Sequence, residues 1–296
     1  MLMLASISRL RVGLLVGLLA CTPAGPSSSA SPDAPASPAP GGPRVVSLHD
    51  TTTEIVVGLG RADALVAVAE PAFLSPDAVV AVATVPRLPA GPVSAEAILV
   101  ARPTLVLGTD VVVERQPELP TQLGDVPARF IDPAHLADLW AEIASVASLL
   151  SVDPAPYLSS LQGRLPPPAA PDGPPIRVAL YDCCDPPFVA AGRGPLDEIL
   201  ARLGAVNVFA PLDQDWTHVS WEALVAARPD LVVIHDYTWD GQAGVADKRA
   251  ALLAHGIDAP TVVLPLALAL EGPRVVEAAA VLGPAIRAVA SPAATP

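Results

Sequence analysis

The chain has 296 residues, of which 52% are hydrophobic and only 16% charged; this supports one large or two ordinary domains and excludes global disorder. Its 17 basic residues against 30 acidic ones leave a net charge of -13, which excludes a phosphate-tracking nucleic-acid partner. Three cysteines are too few for a disulfide framework.

Residues 1–21 read as an export signal. Arg9 and Arg11 form a basic start, and Val12 to Ala20 is an apolar run of nine residues. That run is too short to span a bilayer, which needs about 20 residues, and suits a signal core. It ends in Leu18-Leu19-Ala20-Cys21, which resembles the lipobox of bacterial lipoproteins, where the cysteine becomes the lipidated first residue. An ordinary secretory signal followed by a chance cysteine is the alternative. Residues 22–43 hold seven prolines, and 20 of the 22 are Ala, Gly, Pro or Ser, so they form a tether without a core. A lipid anchor, a tether and a globular body imply an extracytoplasmic protein held at the envelope membrane.

The body is an internal duplication. Val93 to Val112 aligns without a gap on Val219 to Thr238, with ten of twenty positions identical. Arg44 to Asp50 matches Ile176 to Asp182, and Glu54 to Gly60 matches Glu198 to Gly204, in the same order. In the first half, residues 44–133, Val45 to Leu48 reads as a strand and Thr53 to Leu59 as a helix capped by Thr52 or Thr53. Ser94 caps a helix through Ala101, Pro103 stops it, and Leu105 to Leu107 is a buried-type strand. The second half, residues 176–290, repeats this with Ser220, Pro229 and Leu231 to Ile234. Residues 134–165 form one connecting helix kinked near Pro154 and Pro156, and 166–175 form a Pro-rich linker. The expected fold is α/β: two Rossmann-like lobes with central parallel sheets, joined by a long connecting α-helix.

The stretch Arg44-Val-Val-Ser-Leu with Thr53-Glu54-Ile and Leu59-Gly60 resembles the N-terminal motif of the iron-siderophore and vitamin B12 class of substrate-binding proteins, the receptors of ATP-driven importers. Phe188-Val-Ala-Ala-Gly192, Asn207-Val-Phe209 and Val219-Ser-Trp-Glu222 are similar to the second-lobe pattern of that class. The resemblance covers about Arg44 to Arg287. It implies that one glutamate per lobe, Glu96 and Glu222, docks on arginines of an ABC permease and, through it, works with an ATPase. The chain departs from the pattern at His49-Asp50 and at Cys183-Cys184, both near strand ends.

Ligands of open α/β sheets bind beyond the carboxyl ends of the strands. The duplication puts Asp50, Asp110, Asp182 and Asp236 there, beside His49, Thr109, Tyr181 and His235. Facing each other across a cleft, they would suit a cationic, metal-bearing or neutral polar ligand; the bland alternative is that they cap turns. Trp216 lies where the resemblance puts a cleft tryptophan, and with Tyr237 it offers a wall for a planar macrocycle. Arg87, Arg193 and Arg274 are candidate anion contacts. Cys183 and Cys184 are free thiols, a vicinal disulfide or soft metal ligands.

These readings converge on a monomeric lipoprotein, not an enzyme and without a cofactor of its own. It would capture an iron chelate or a cobalamin-like corrinoid, whose Fe or Co belongs to the cargo. Two alternatives stand beside it: an exported tetrapyrrole or metal-handling enzyme of chelatase-like fold, and an envelope ligand sensor. No P-loop, HExxH or nucleophile elbow is present.

Overall fold

A computed structural model describes residues 41–89, 91–170, 173–236 and 244–291. The signal segment, the lipobox Cys21, most of the tether and Tyr237 lie outside the described residues. The first lobe runs β1 (Val45–Ser47), α1 (Asp50–Gly58), β2 (Leu65–Val68), α2 (Pro76–Ala81), α3 (Ala95–Val100), β3 (Leu105–Thr109), α4 (Asp110–Arg115), α5 (Leu119–Gln122) and β4 (Ala128–Ile131). Its four strands are all parallel, in the order β2-β1-β3-β4. Two helices follow, α6 (Leu136–Leu149) and α7 (Ala155–Gly163).

The second lobe runs β5 (Ile176–Cys183), β6 (Phe188–Ala190), α8 (Pro195–Arg202), β7 (Ala205–Asn207), β8 (Trp216–His218), α9 (Trp221–Ala226), β9 (Leu231–His235), α10 (Val245–Ala254), β10 (Thr261–Leu264) and α11 (Ala278–Ala290). Strands β7, β5, β9 and β10 are parallel and repeat the strand order of the first lobe, so the duplication read from sequence is a duplication of topology. The lobes differ at one place. Strand β5 runs on past its repeat partner and turns back into β6, which pairs antiparallel with β5 and β8. The expected central parallel sheet is thus present in both lobes, and the second lobe adds antiparallel β6 and β8 to it. The single connecting helix is corrected. Ser151 adopts a left-handed φ of 56° after α6, and Pro154 lacks the N–H needed to continue, so α7 starts afresh.

The central strands β3 and β9 are buried throughout, which is why they read as near-continuous apolar runs. One core cluster runs through both lobes, joining Val45, Ile55 and Leu107 with Leu180, Val233 and Leu282. Helix α1 starts at Asp50, three residues before its expected start. His49 is its cap, with Nδ1 accepting from Thr51 N–H at 3.2 Å. No helix among the described residues is long and apolar enough to cross a bilayer.

Two positions in the second lobe carry large stability effects. A Cβ at Gly192 would overlap the carbonyl oxygen of Ala210, which is backbone and cannot swing away. Gly192→Ala is expected to cost about 3 kcal/mol in urea unfolding. Buried Asn207 donates to Ala190 O, Ala191 O and Asp197 Oδ1 and accepts from Phe209 N–H, fastening β7 to β6. Asn207→Ala strands those groups and is expected to cost about 2–3 kcal/mol, read from the same unfolding midpoints.

Candidate functional site

The lobes meet along the carboxyl ends of β3 and β4 on one side and the loops around β6 and β8 on the other. Asp110 opens α4 directly after β3, and Asp132 follows β4. From the second lobe, Arg193 reaches across: its Nη2 lies 3.0 Å from Asp132 Oδ2 and its Nε 3.4 Å from Asp215 Oδ1. Gly194 N–H donates to Ala134 O at 2.9 Å, and Leu136 N–H donates to Glu198 Oε1 at 2.9 Å. Carboxylate oxygens of Asp110, Asp132 and Asp215 fall within 4.8 Å of one another. A hard cation could bridge such a spacing, but Arg193 already lies against two of the three.

Beside this cluster, half-buried Trp216 donates from Nε1 to Glu271 Oε1 at 3.0 Å. Its ring stacks near Phe188 at 5.9 Å and meets the His235 ring edge-on at 5.4 Å. Arg193, Gly194, Asp215, Trp216, Ala269 and Glu271 line a recess of about 240 Å³. A second recess of about 220 Å³ lies where Asp50, Thr51 and Phe73 face Gly272 and Arg274. There Arg274 Nη1 donates to Phe73 O at 2.9 Å, and the absence of a Cβ at Gly272 leaves room for Thr51.

Burial raises the Asp110 carboxyl to about 6, helped by the Asp132 charge, and raises Glu271 to about 7 against the pull of the Trp216 hydrogen bond. Both titrate higher when folded than when unfolded, so their stabilising contribution is full below about pH 4 and is lost as pH rises through 6 and 7. The melting temperature is therefore expected to be higher at pH 5 than at pH 8. Glu271→Gln keeps an acceptor for Trp216 and should shrink that difference. An unchanged difference would contradict the assignment.

The residues predicted from strand-end position divide sharply. Trp216 lines the first recess, whose walls all come from the second lobe, and Asp110 comes near it only through the carboxylate cluster with Asp215. Asp50 reaches the second one, where its Oδ2 accepts from the backbone of Ala72 and Phe73, so it holds a loop. Thr109 is buried, its hydroxyl without a hydrogen-bond partner among the described residues. Half-buried His49 serves as the α1 cap, and burial lowers its pKa.

Tyr181, Asp182 and His235 are corrected as cleft residues. Because β5 extends to Cys183, positions 181 and 182 sit inside a central strand rather than beyond its end. Tyr181 packs edge-on against Trp221 at 5.9 Å in the core. Asp182 turns to the opposite face and binds His235 Nδ1 at 2.8 Å, both buried. Lys248 is buried too, and its Nζ donates to His235 O at 2.9 Å. Asp236 accepts weakly from Leu266 N–H at 3.3 Å and is exposed. Arg87 is exposed. Arg193 and Arg274 are used between the lobes.

Sequence reasoning passed over Asp132, Asp215 and Glu271. The pairing of Asp215 with Trp216 was the available signal; Glu271 lies in an irregular segment with no repeat partner.

Glu96 and Glu222 occupy equivalent places. Ser94 and Ser220 cap α3 and α9 from their side-chain oxygens, and each glutamate stands exposed in the first turn. Its own backbone N–H and the Ser220 hydroxyl hold the Glu222 carboxyl below its usual range, so it is ionised at neutral pH. Cys183 and Cys184 form a vicinal disulfide, which decides among the three readings of the pair.

Two α/β lobes of repeated topology, bridged by helices and packed against each other, define a bilobal architecture. No protein-family model matches the chain. It is 24% identical over 201 residues to the vitamin B12-binding protein of Yersinia pestis (strain Pestoides F), covering 67% of this chain and 71% of the relative. Among solved structures it is similar to the periplasmic heme-binding protein RhuT from Roseiflexus sp. RS-1 in apo form, at 26% identity and TM-score 0.66, covering 84% of this chain and 100% of that one. The fold is also that of the periplasmic vitamin B12-binding protein BtuF of Vibrio cholerae, at 20% identity and TM-score 0.60, covering 83% and 97%. These matches show that the chain shares the fold of periplasmic binding proteins, and the resemblance drawn from its motifs is borne out.

Proposed function

We propose that the chain is the extracytoplasmic receptor of an ABC importer and captures a corrinoid or another neutral to cationic metal chelate between its lobes. The observation that carries this reading is Trp216, held by Glu271 in a recess of the second lobe, with Asp215 beside it and Asp110 and Asp132 of the first lobe clustered on Asp215. A flat ring suits a macrocycle. Several carboxylates against the single Arg193 disfavour a catecholate complex or a propionate-rich porphyrin. The relative and the fold neighbour named for vitamin B12 support the same class of cargo. The chain is read as a binding protein and not an enzyme, working as a monomer anchored through lipidated Cys21.

The recess beside Trp216 is open to solvent and encloses room for about one water, far less than the pockets of about 300–1,000 Å³ that hold drug-sized ligands. Cargo of corrin size therefore needs the lobes to part, which breaks the Arg193–Asp132 pair. A partly exposed ion pair contributes only about 0–1 kcal/mol, so this pair adds little to a barrier that the shared core and the Arg274–Phe73 contact also set. Titration with cyanocobalamin, hemin and a ferric catecholate tests the reading. Cyanocobalamin is expected to bind at least tenfold tighter than the anionic chelates. Preference for the catecholate would overturn it.

A further inference from the structure

The vicinal pair Cys183–Cys184 closes a ring across one peptide bond, with Cα atoms 3.7 Å apart. It ends β5 and opens the turn into β6. Cys184 is held at φ 80°, a left-handed backbone that a non-glycine residue rarely adopts. The turn it shapes is fastened, contact by contact, to the segment that presents Glu222. Pro186 O meets His218 Nδ1 at 3.0 Å, Pro187 O accepts from Val219 N–H at 2.9 Å, and Asp185 Oδ1 accepts from Trp221 Nε1 at 2.9 Å. Trp221 then stacks flat on His255 at 4.0 Å, and Glu222 is the next residue. In the first lobe the chain passes from β1 directly into α1, so Glu96 has no equivalent brace.

We propose that Cys183–Cys184 is a reversible dithiol–disulfide site, open to a dithiol reductant, whose oxidation state sets the order of residues 218–222. The link to transport rests on the docking role given to Glu222. Cys184 is half-buried and Cys183 buried, so the reachable sulfur is that of Cys184. A thiolate of the reductant attacks Cys184 Sγ, the Sγ–Sγ bond breaks, and Cys183 leaves as a thiolate that takes a proton. The second thiol of the reductant then attacks its own sulfur in the mixed disulfide. The reductant departs as a disulfide, and Cys184 is released and protonated. Two electrons have passed to the protein. Opening the ring frees Cys184 from its left-handed conformation and loosens the turn that holds Trp221.

The test uses the folded full chain with and without dithiothreitol. Alkylation read peptide by peptide should label both Cys183 and Cys184 only after reduction. Hydrogen exchange at amides 219–223 should then speed up at least tenfold. Asp185→Ala keeps the disulfide and removes the contact to Trp221; it should raise exchange over the same amides without reductant. Cysteines that resist alkylation in the reduced folded protein, or exchange that does not change, would overturn the proposal. Binding to permease proteoliposomes separates the two readings. If Glu222→Ala binds normally, the docking role fails while the exchange result stands on its own. If Glu222→Ala loses binding but reduced wild type binds like oxidised, the redox link to docking fails.

Discussion

Replacing Glu96 and Glu222 together by alanine is expected to abolish uptake while leaving cyanocobalamin affinity within about twofold of wild type. The two side chains stand in the first turns of α3 and α9, each behind a serine cap and each in solvent. Neither lines either recess. A carboxylate at such a position gains from the helix dipole by only about 0.3–1 kcal/mol, so its loss leaves the fold intact. Against arginines of a permease the same carboxylate makes charge-assisted hydrogen bonds, and losing one partner of a desolvated pair costs about 2–5 kcal/mol. Two such losses exceed a thousandfold. The single variants should each fall by at least tenfold and become more salt-sensitive. Transport by the double variant at the wild-type rate would remove the docking assignment.

Trp216→Ala is expected to weaken cyanocobalamin binding by about ten- to a hundredfold. If about 100 Å² of the indole face leaves water on binding, at about 25 cal/mol/Å² the contact contributes about 2.5 kcal/mol. The same variant releases Glu271 from its hydrogen-bond donor, which makes the glutamate easier to protonate. The affinity loss should therefore be larger at pH 8 than at pH 5. Trp216→Phe keeps a smaller wall, and should keep most of the affinity while losing most of the fluorescence quenching. If the phenylalanine variant quenched like wild type, the signal would belong to another of the four tryptophans.

The weak Arg193 bridge matters for both results. Because a partly exposed pair adds little to the work of opening, cargo affinity is set by the wall, the carboxylates and the shared core rather than by this pair. The helices α6 and α7 and the core cluster that runs through both lobes limit how far they part.

Local chemistry was enough to read the duplication, the α/β class and the serine caps behind Glu96 and Glu222, whereas Trp216 was singled out by the family resemblance. Each of the first three depends on a run of neighbouring residues: apolar periodicity, a capping side chain, a proline stop, or a repeated string. The ligand-side aspartates were not legible in the same way. Asp50 and Asp182 match in the repeat, yet one starts a helix and the other lies inside a strand, because β5 gains a hairpin partner in β6 that β1 lacks. Side chains alternate along a strand, so two extra residues of pairing carried Asp182 and Tyr181 to opposite buried faces. Asp110 and Asp132 of the first lobe meet Asp215 only where the lobes meet, and Glu271 reaches Trp216 from a distant stretch of the second lobe. Repeat and caps were thus settled by residues adjacent in the chain. The cleft was settled by strand pairing and lobe contact, which act between residues far apart in sequence and leave no local pattern to read.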